Sequence, residues 1–230
     1  KVISTGTTYY CEGHLDFAGQ TYNCLGTHGD VNVYGALRSS CNVFFYQAGR
    51  ALTIRRMEVY ANLFGLGVKS GVEISESSGR MSSAEYYEEH SGDKWRDGHT
   101  ISAAIGQQDD QFTPLQLATY TAAIANNGVR YQTHLLDKVL DYTGDTVLYE
   151  HETTIAEPAE VDAWVMQEVQ YGMRLVSTDG TAADVFANYP VSVCSKTGTA
   201  ENSGNQADNL TFIAYAPADD RQIAVAVVLE

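Results

Sequence analysis

The chain has 230 residues, 44% of them hydrophobic, enough for a sizeable core in one large or two small domains. Its 14 basic and 29 acidic side chains give a formal charge of −15, which excludes nucleic acid and an anionic membrane surface as main partners and suits a small or cationic ligand. No run reaches the ~18 apolar residues that would span a bilayer. The opening KVISTGTTYY lacks the apolar stretch of a signal peptide, and the chain reads as an excised piece of a longer protein.

Residues 1–30 are rich in Gly, Thr, Tyr and Asn without helical periodicity and read as irregular structure. Asn32 is placed to cap a short helix, VYGALRS. A second helix is expected from Asn42 to Leu52 and a third from Thr53 to Phe64, where Ile54, Met57, Tyr60, Ala61 and Phe64 recur at three and four before Gly65. Residues 66–112 read as loop. TPLQLATYTAAIANNG is a punctuated helix: Thr113 caps, Pro114 takes the first helical position, Gln116 completes a capping box and Asn127-Gly128 terminates.

VLDYTGDTVLYE reads as a hairpin around Thr143-Gly144-Asp145. Residues 161–176 form an amphipathic helix with Val161, Trp164, Val165, Val169, Met173 and Val176 on its apolar side. VSVCSKTGTAE is a strand running into a turn. The final segment is a long hairpin with Pro217–Asp220 at its tip, and its apolar VAVV run suggests a central strand buried on both faces. The fold class expected is α+β: an antiparallel β-sheet with packed helices plus a mainly helical subdomain, with 1–130 the helical and irregular part and 131–230 the sheet part of one domain.

Two short motifs carry chemistry. In Ser195-Lys196-Thr197-Gly198-Thr199, a lysine, hydroxyls and a backbone N–H at a strand end can converge on one anion, and Gly198 would let a ligand approach the backbone. Taken alone, this is equally a strand-to-turn transition with a solvated lysine. Ser40-Cys41-Asn42 alone is a polar junction between two helices. Together and in this order, S-x-N and K-T-G are the paired signature of serine acyl-enzymes that handle D-alanyl peptides and β-lactams.

On these motifs, and on HGDVNVYGALRSSCNVFFYQAG, FGLGVKSGVEI, SAAIGQQDDQFTPLQLATYTAAIANNGV and FIAYAPADDRQIAVAVVLE, the chain resembles the transpeptidase domain of a class B penicillin-binding protein over nearly its whole length. The resemblance implies a peptidoglycan D,D-transpeptidase at the extracytoplasmic face of the bacterial cytoplasmic membrane. Its partners would be stem peptides, β-lactam antibiotics, membrane proteins of cell-wall synthesis and the upstream part of its own polypeptide. It also implies residue roles: Ser40 relays a proton near the leaving amine, Asn42 binds the peptide amide and Lys196 sets a positive field and tunes Ser40. Thr197, Gly198 and Thr199 form the carboxylate and backbone subsite, with the Thr199 N–H in the oxyanion hole. A β-lactam sensor or β-lactamase-like acyl-enzyme, or a non-catalytic zinc-stabilised module of a cell-wall complex, are the competing readings.

The family's nucleophile motif, S-x-x-K, should lie upstream of S-x-N, yet none of the 39 residues before Ser40 forms it. The literal match Ser91-Gly92-Asp93-Lys94 follows S-x-N in a glycine- and charge-rich stretch and is rejected. The chain is therefore expected not to acylate by itself. Cysteines add a third pattern, C-x12-C-x3-H-x12-C over Cys11, Cys24, His28 and Cys41. Three thiols and an imidazole suit a tetrahedral Zn²⁺ site that would anchor the irregular first segment. The resemblance supports this, since some elongation-type members hold zinc at corresponding positions. A Cys11–Cys24 disulfide and three separate thiols remain open. His14 is a reserve ligand, and Cys194 reads as core.

Overall fold

A computed structural model describes residues 2–156, 160–201 and 207–230. The fold is α+β. Where an irregular start was expected, four short strands form two antiparallel pairs: β1 (Tyr9–Cys11) with β4 (Gly29–Val31), and β2 (His14–Phe17) with β3 (Gln20–Asn23). Strands of three or four residues are too short to show alternation in sequence. The signal that was present is the two-residue turn Ala18-Gly19, whose φ angles of 52° and 81° match the twist of a tight hairpin.

Next come α1 (Val33–Arg38), α2 (Asn42–Leu52) and α3 (Ile54–Leu63). Asn32 caps α1 as expected, accepting from the Gly35 N–H at 3.1 Å. The 66–112 stretch holds two helices the sequence reading missed, α4 (Ala84–Ser91) and α5 (Asp97–Ala103). Ser83 caps α4 and Gly92 ends it at φ 75°. Ser91-Gly92-Asp93-Lys94 thus closes a helix, the opposite polarity to a nucleophile at a helix head. In α6 (Pro114–Ala125) the capping box is complete: Gln116 N–H donates to Thr113 Oγ1 at 3.2 Å and Thr113 N–H to Gln116 Oε1 at 2.9 Å.

The expected hairpin is β5 (Lys138–Leu140) with β6 (Val147–Glu150), exposed throughout. The amphipathic helix is α7 (Ala163–Asp179), followed by the single turn α8 (Ala183–Phe186). Its buried line is Met166, Gln170, Met173, Val176 and Ser177, while Trp164 is 44% exposed and Val165 and Val169 lie at the core margin. The stripe is rotated from the expected one because Gln170 turns inward: its amide donates to the Ile124 carbonyl at 2.7 Å at the end of α6, satisfying a polar group that hydropathy had assigned outward.

Strands β7 (Cys194–Ala200), β8 (Asn209–Ala216) and β9 (Ile223–Leu229) form an antiparallel sheet in the order β7-β8-β9. The VAVV run is therefore not a central strand among the described residues. β9 lies at an edge and alternates, with Val225 and Val227 about two-fifths exposed. Local apolarity does not reveal which strands flank it.

Two buried clusters organise the molecule. One joins Phe64, Ile124, Met173, Cys194 and Tyr215 from α3, α6, α7 and the sheet. The other joins Cys11, Ala36, Cys41, Phe44 and Ile101 from β1, α1, α2 and α5. Full burial of an aromatic such as Phe44 contributes about 3 kcal/mol. The clusters meet where α1 crosses α7: a Cβ on Gly172 would lie 2.3 Å from Leu37 Cδ1, so glycine lets the helices touch.

Candidate functional site

The site is built on one turn. Ser40 follows α1 with φ 52°, left-handed for a residue that has a Cβ. Its N–H reaches the Leu37 carbonyl at 3.4 Å and that of Cys41 reaches Ala36 at 2.9 Å, the double closure of a Schellman motif. Serine thus stands where glycine is usual, and such a conformation costs on the order of 1–3 kcal/mol. Asn42 then begins α2. Its amide donates to the Asn23 carbonyl at 3.2 Å, and Tyr46 Oη donates to that oxygen at 2.9 Å, so the end of β3 fixes the first turn of α2.

Across the cleft, β7 is an edge strand among the described residues, a flank on which an extended ligand can pair. Lys196 reaches back from it: Nζ donates to Ser40 Oγ at 2.5 Å and to the Thr197 carbonyl at 2.7 Å. Burial of Lys196 disfavours its cation and lowers its pKa from 10.5 to about 8. The ammonium is therefore still mostly protonated at neutral pH. The register is held from behind by Ser177 of α7 and Ser195 of β7, both fully buried, whose hydroxyls pair at 2.8 Å.

Gly198 answers to a neighbour as well as to any ligand. A Cβ there would sit 2.3 Å from Thr211 Oγ1 on β8, so the strand pair itself demands glycine. Thr199 lies one residue further along the same edge strand. The structure thus brings Ser40, Lys196 and Thr197 together. Asn42 stands two residues after the lysine's target with its amide donating to the Asn23 carbonyl, and Gly198 and Thr199 extend the strand beyond it. The sequence reading missed Thr181, whose hydroxyl pairs with that of Thr197 at 2.8 Å. Nothing local marks it, because the contact joins the loop after α7 to β7.

Behind the turn, Cys11, Cys24, His28 and Cys41 converge, with all four ligand atoms within 4.8 Å of one another. His28 Nδ1 is 3.5 Å from both Cys11 Sγ and Cys24 Sγ, and Cys24 Sγ is 3.9 Å from Cys41 Sγ. Zn–S bonds of about 2.3 Å in a tetrahedron separate sulfurs by about 3.8 Å, so this donor set fits zinc. The four cysteines are all free thiols. Burial opposes ionisation of Cys24, but backbone N–H groups of Val43, Gly26 and Asn42 hold its thiol below the ordinary range. Burial pushes Cys41 up to about 12. His14 takes no part and lies 3.6 Å from Asp16. Cys194 is core, its thiol directed to the Gln170 carbonyl at 3.7 Å.

Helices packed on an antiparallel sheet, with a K-T-G strand closing on an S-x-N turn, define the α+β architecture of a transpeptidase-type domain. The chain belongs to the penicillin-binding protein transpeptidase domain family, whose model matches residues 1–230. It is 33% identical over 218 residues to the peptidoglycan D,D-transpeptidase MrdA of Acinetobacter baumannii, covering 88% of this chain and 32% of that protein. The solved structure of Pseudomonas aeruginosa PBP2 in complex with WCK 5153 superposes with a TM-score of 0.86 at 28% identity, covering all of this chain and 52% of that one. A peptidoglycan synthase complex that coordinates polymerization and crosslinking contains a chain that is 29% identical with a TM-score of 0.84, covering 99% of this chain and 38% of that one. The chain thus spans about a third of the length of the curated relative it matches. Among the described residues no helix is long and apolar enough to cross a membrane.

Proposed function

We propose that this domain works in peptidoglycan D,D-transpeptidation through an acyl-serine intermediate, at the outer face of the bacterial cytoplasmic membrane and within the membrane-bound machinery of cell-wall synthesis. The observation that carries the reading is the 2.5 Å contact between Lys196 Nζ and Ser40 Oγ, which joins two motifs 156 residues apart. A serine attacks the penultimate D-Ala carbonyl of a stem peptide, and the C–N bond to the terminal D-Ala breaks as that amine takes a proton. An amine of a second stem then attacks the ester, giving the cross-link and freeing the serine. β-Lactams follow the first half and stop at the ester.

Ser40 relays the proton to the leaving amine, with Lys196 setting its hydroxyl. Asn42 holds the peptide amide. Lys196 and Thr197 meet the terminal carboxylate, and Gly198 and Thr199 bind backbone along the edge strand. The Thr199 N–H serves as an oxyanion donor, a contribution of about 3–4 kcal/mol to the barrier.

The attacking serine lies outside residues 1–230, since no S-x-x-K precedes Ser40 and the only literal match ends α4. The chain alone is therefore not labelled covalently by a fluorescent penicillin, whereas the full-length polypeptide is. Labelling of the chain alone defeats the missing-nucleophile reading. A full-length protein that stays unlabelled supports a non-catalytic module instead.

Cys11, Cys24, His28 and Cys41 would hold a structural Zn²⁺, which supplies a cross-link between the first segment and the Ser40 turn and no reacting group. Protein purified without chelator should carry about one equivalent of zinc, and less than a tenth of an equivalent defeats the site.

A further inference from the structure

Thr181 belongs to neither motif, yet it is the residue of the α7–α8 loop that reaches the strand edge. Its N–H donates to the Arg38 carbonyl at 3.2 Å, two residues before Ser40. The Arg38 guanidinium pairs with Asp179 at 2.8 Å, and a Cβ on the intervening Gly180 would lie 2.4 Å from the Arg38 carbonyl oxygen. The loop is thus clasped to the end of α1. These residues, with Ser39, line an open recess of about 430 Å3 that reaches Thr181, and the Thr181–Thr197 hydroxyl pair is itself exposed to solvent.

The chemistry of that pair is directional. A hydroxyl carries one proton, and a carboxylate only accepts. If Thr197 gives its proton to Thr181, it has none for a ligand anion. If Thr181 gives its proton to Thr197, the Thr197 proton is free to point at the anion. We propose that Thr181 is a positioning residue of the carboxylate subsite, orienting the Thr197 hydroxyl as a donor and so sharpening selection of a free carboxylate over its ester. The proposal rests on the reading of Thr197 as a carboxylate ligand.

The experiment uses the full-length protein and two probes, a penicillin and its methyl ester, and reads the second-order acylation rate. The acid-to-ester ratio is internal to each variant and independent of the folded fraction. In Thr181→Val the ratio should fall about fivefold, the scale of one net hydrogen bond, and Thr181→Ser should restore it. Thr197→Val should lower the ratio at least as far. A ratio unchanged in Thr181→Val but lowered in Thr197→Val overturns the role of Thr181 alone. A ratio unchanged in Thr197→Val overturns the carboxylate reading of Thr197, and this inference with it.

Discussion

Ser40 combines two demands that conflict. Its backbone is left-handed, which favours glycine, and its hydroxyl contacts Lys196, which requires serine. Ser40→Gly should leave thermal stability unchanged or raise it, because relief of about 1 kcal/mol of strain offsets the lost hydrogen bond. Ser40→Ala keeps the strain and loses the bond, so it should melt lower than Ser40→Gly. Differential scanning calorimetry of the pair checks this, and acylation in the full-length protein should fall in both. Lys196 makes a pH prediction of two opposite signs. Its folded pKa, about 8, is below the ordinary 10.5 because burial disfavours the cation. Between these values the unfolded chain binds more protons than the folded one, so this residue makes stability rise with pH through that window. Over the same window the cation is discharged and affinity for a carboxylate ligand should fall. Lys196→Met should remove both slopes, as read by melting and by ligand titration from pH 7 to 10.

At the scale of elements, the cleft is as precise as the packing of α1 on α7 and of α7 on β7. Gly172 sets the first contact and the Ser177–Ser195 pair the second. Gly172→Leu should push α1 outward and destabilise by about 1–3 kcal/mol, the usual cost of overpacking, measured by chemical denaturation. What the sequence made legible at this scale followed from strong local punctuation. Thr113-Pro114-Leu115-Gln116 announced α6, and Asn32 announced α1. The strands of residues 9–31 stayed hidden because three residues carry no period. The buried face of α7 was misjudged because Gln170 goes inward to cap the end of α6. Ser40, Lys196 and Thr197 were legible as motifs, while Thr181 was not, because its role depends on a loop docking against a strand.

Across the whole molecule, the first segment and the Ser40 turn share a single buried cluster that contains Cys11 and Cys41 at zero exposure. Disturbing the thiols therefore acts on the turn through the core. Cys41→Ser should abolish zinc retention and lower the melting temperature, with activity of the full-length protein lost only in step with folding; metal analysis beside calorimetry tests the order. If activity vanishes while melting is unchanged, Cys41 has a role in the chemistry that this geometry does not assign. The sheet carries the opposite lesson about legibility. The β8–β9 hairpin around Pro217–Asp220 was evident, but the order of the sheet was not, and the apolar β9 stands at an edge among the described residues.

The Schellman turn after α1 also governs how the chain tolerates changes of length. Ser40 closes one helix and Asn42 opens the next, leaving Cys41 alone between them. One added residue would displace the hydroxyl from Lys196, turn the thiol away from its three companions and move the Asn42 amide off Asn23 in a single step. Between Ser39 and Val43, side chains can be exchanged one at a time, but the residue count is common to all three functions. Insertions and deletions should therefore be far more damaging in these few positions than in the β5–β6 hairpin, whose strand residues are all exposed.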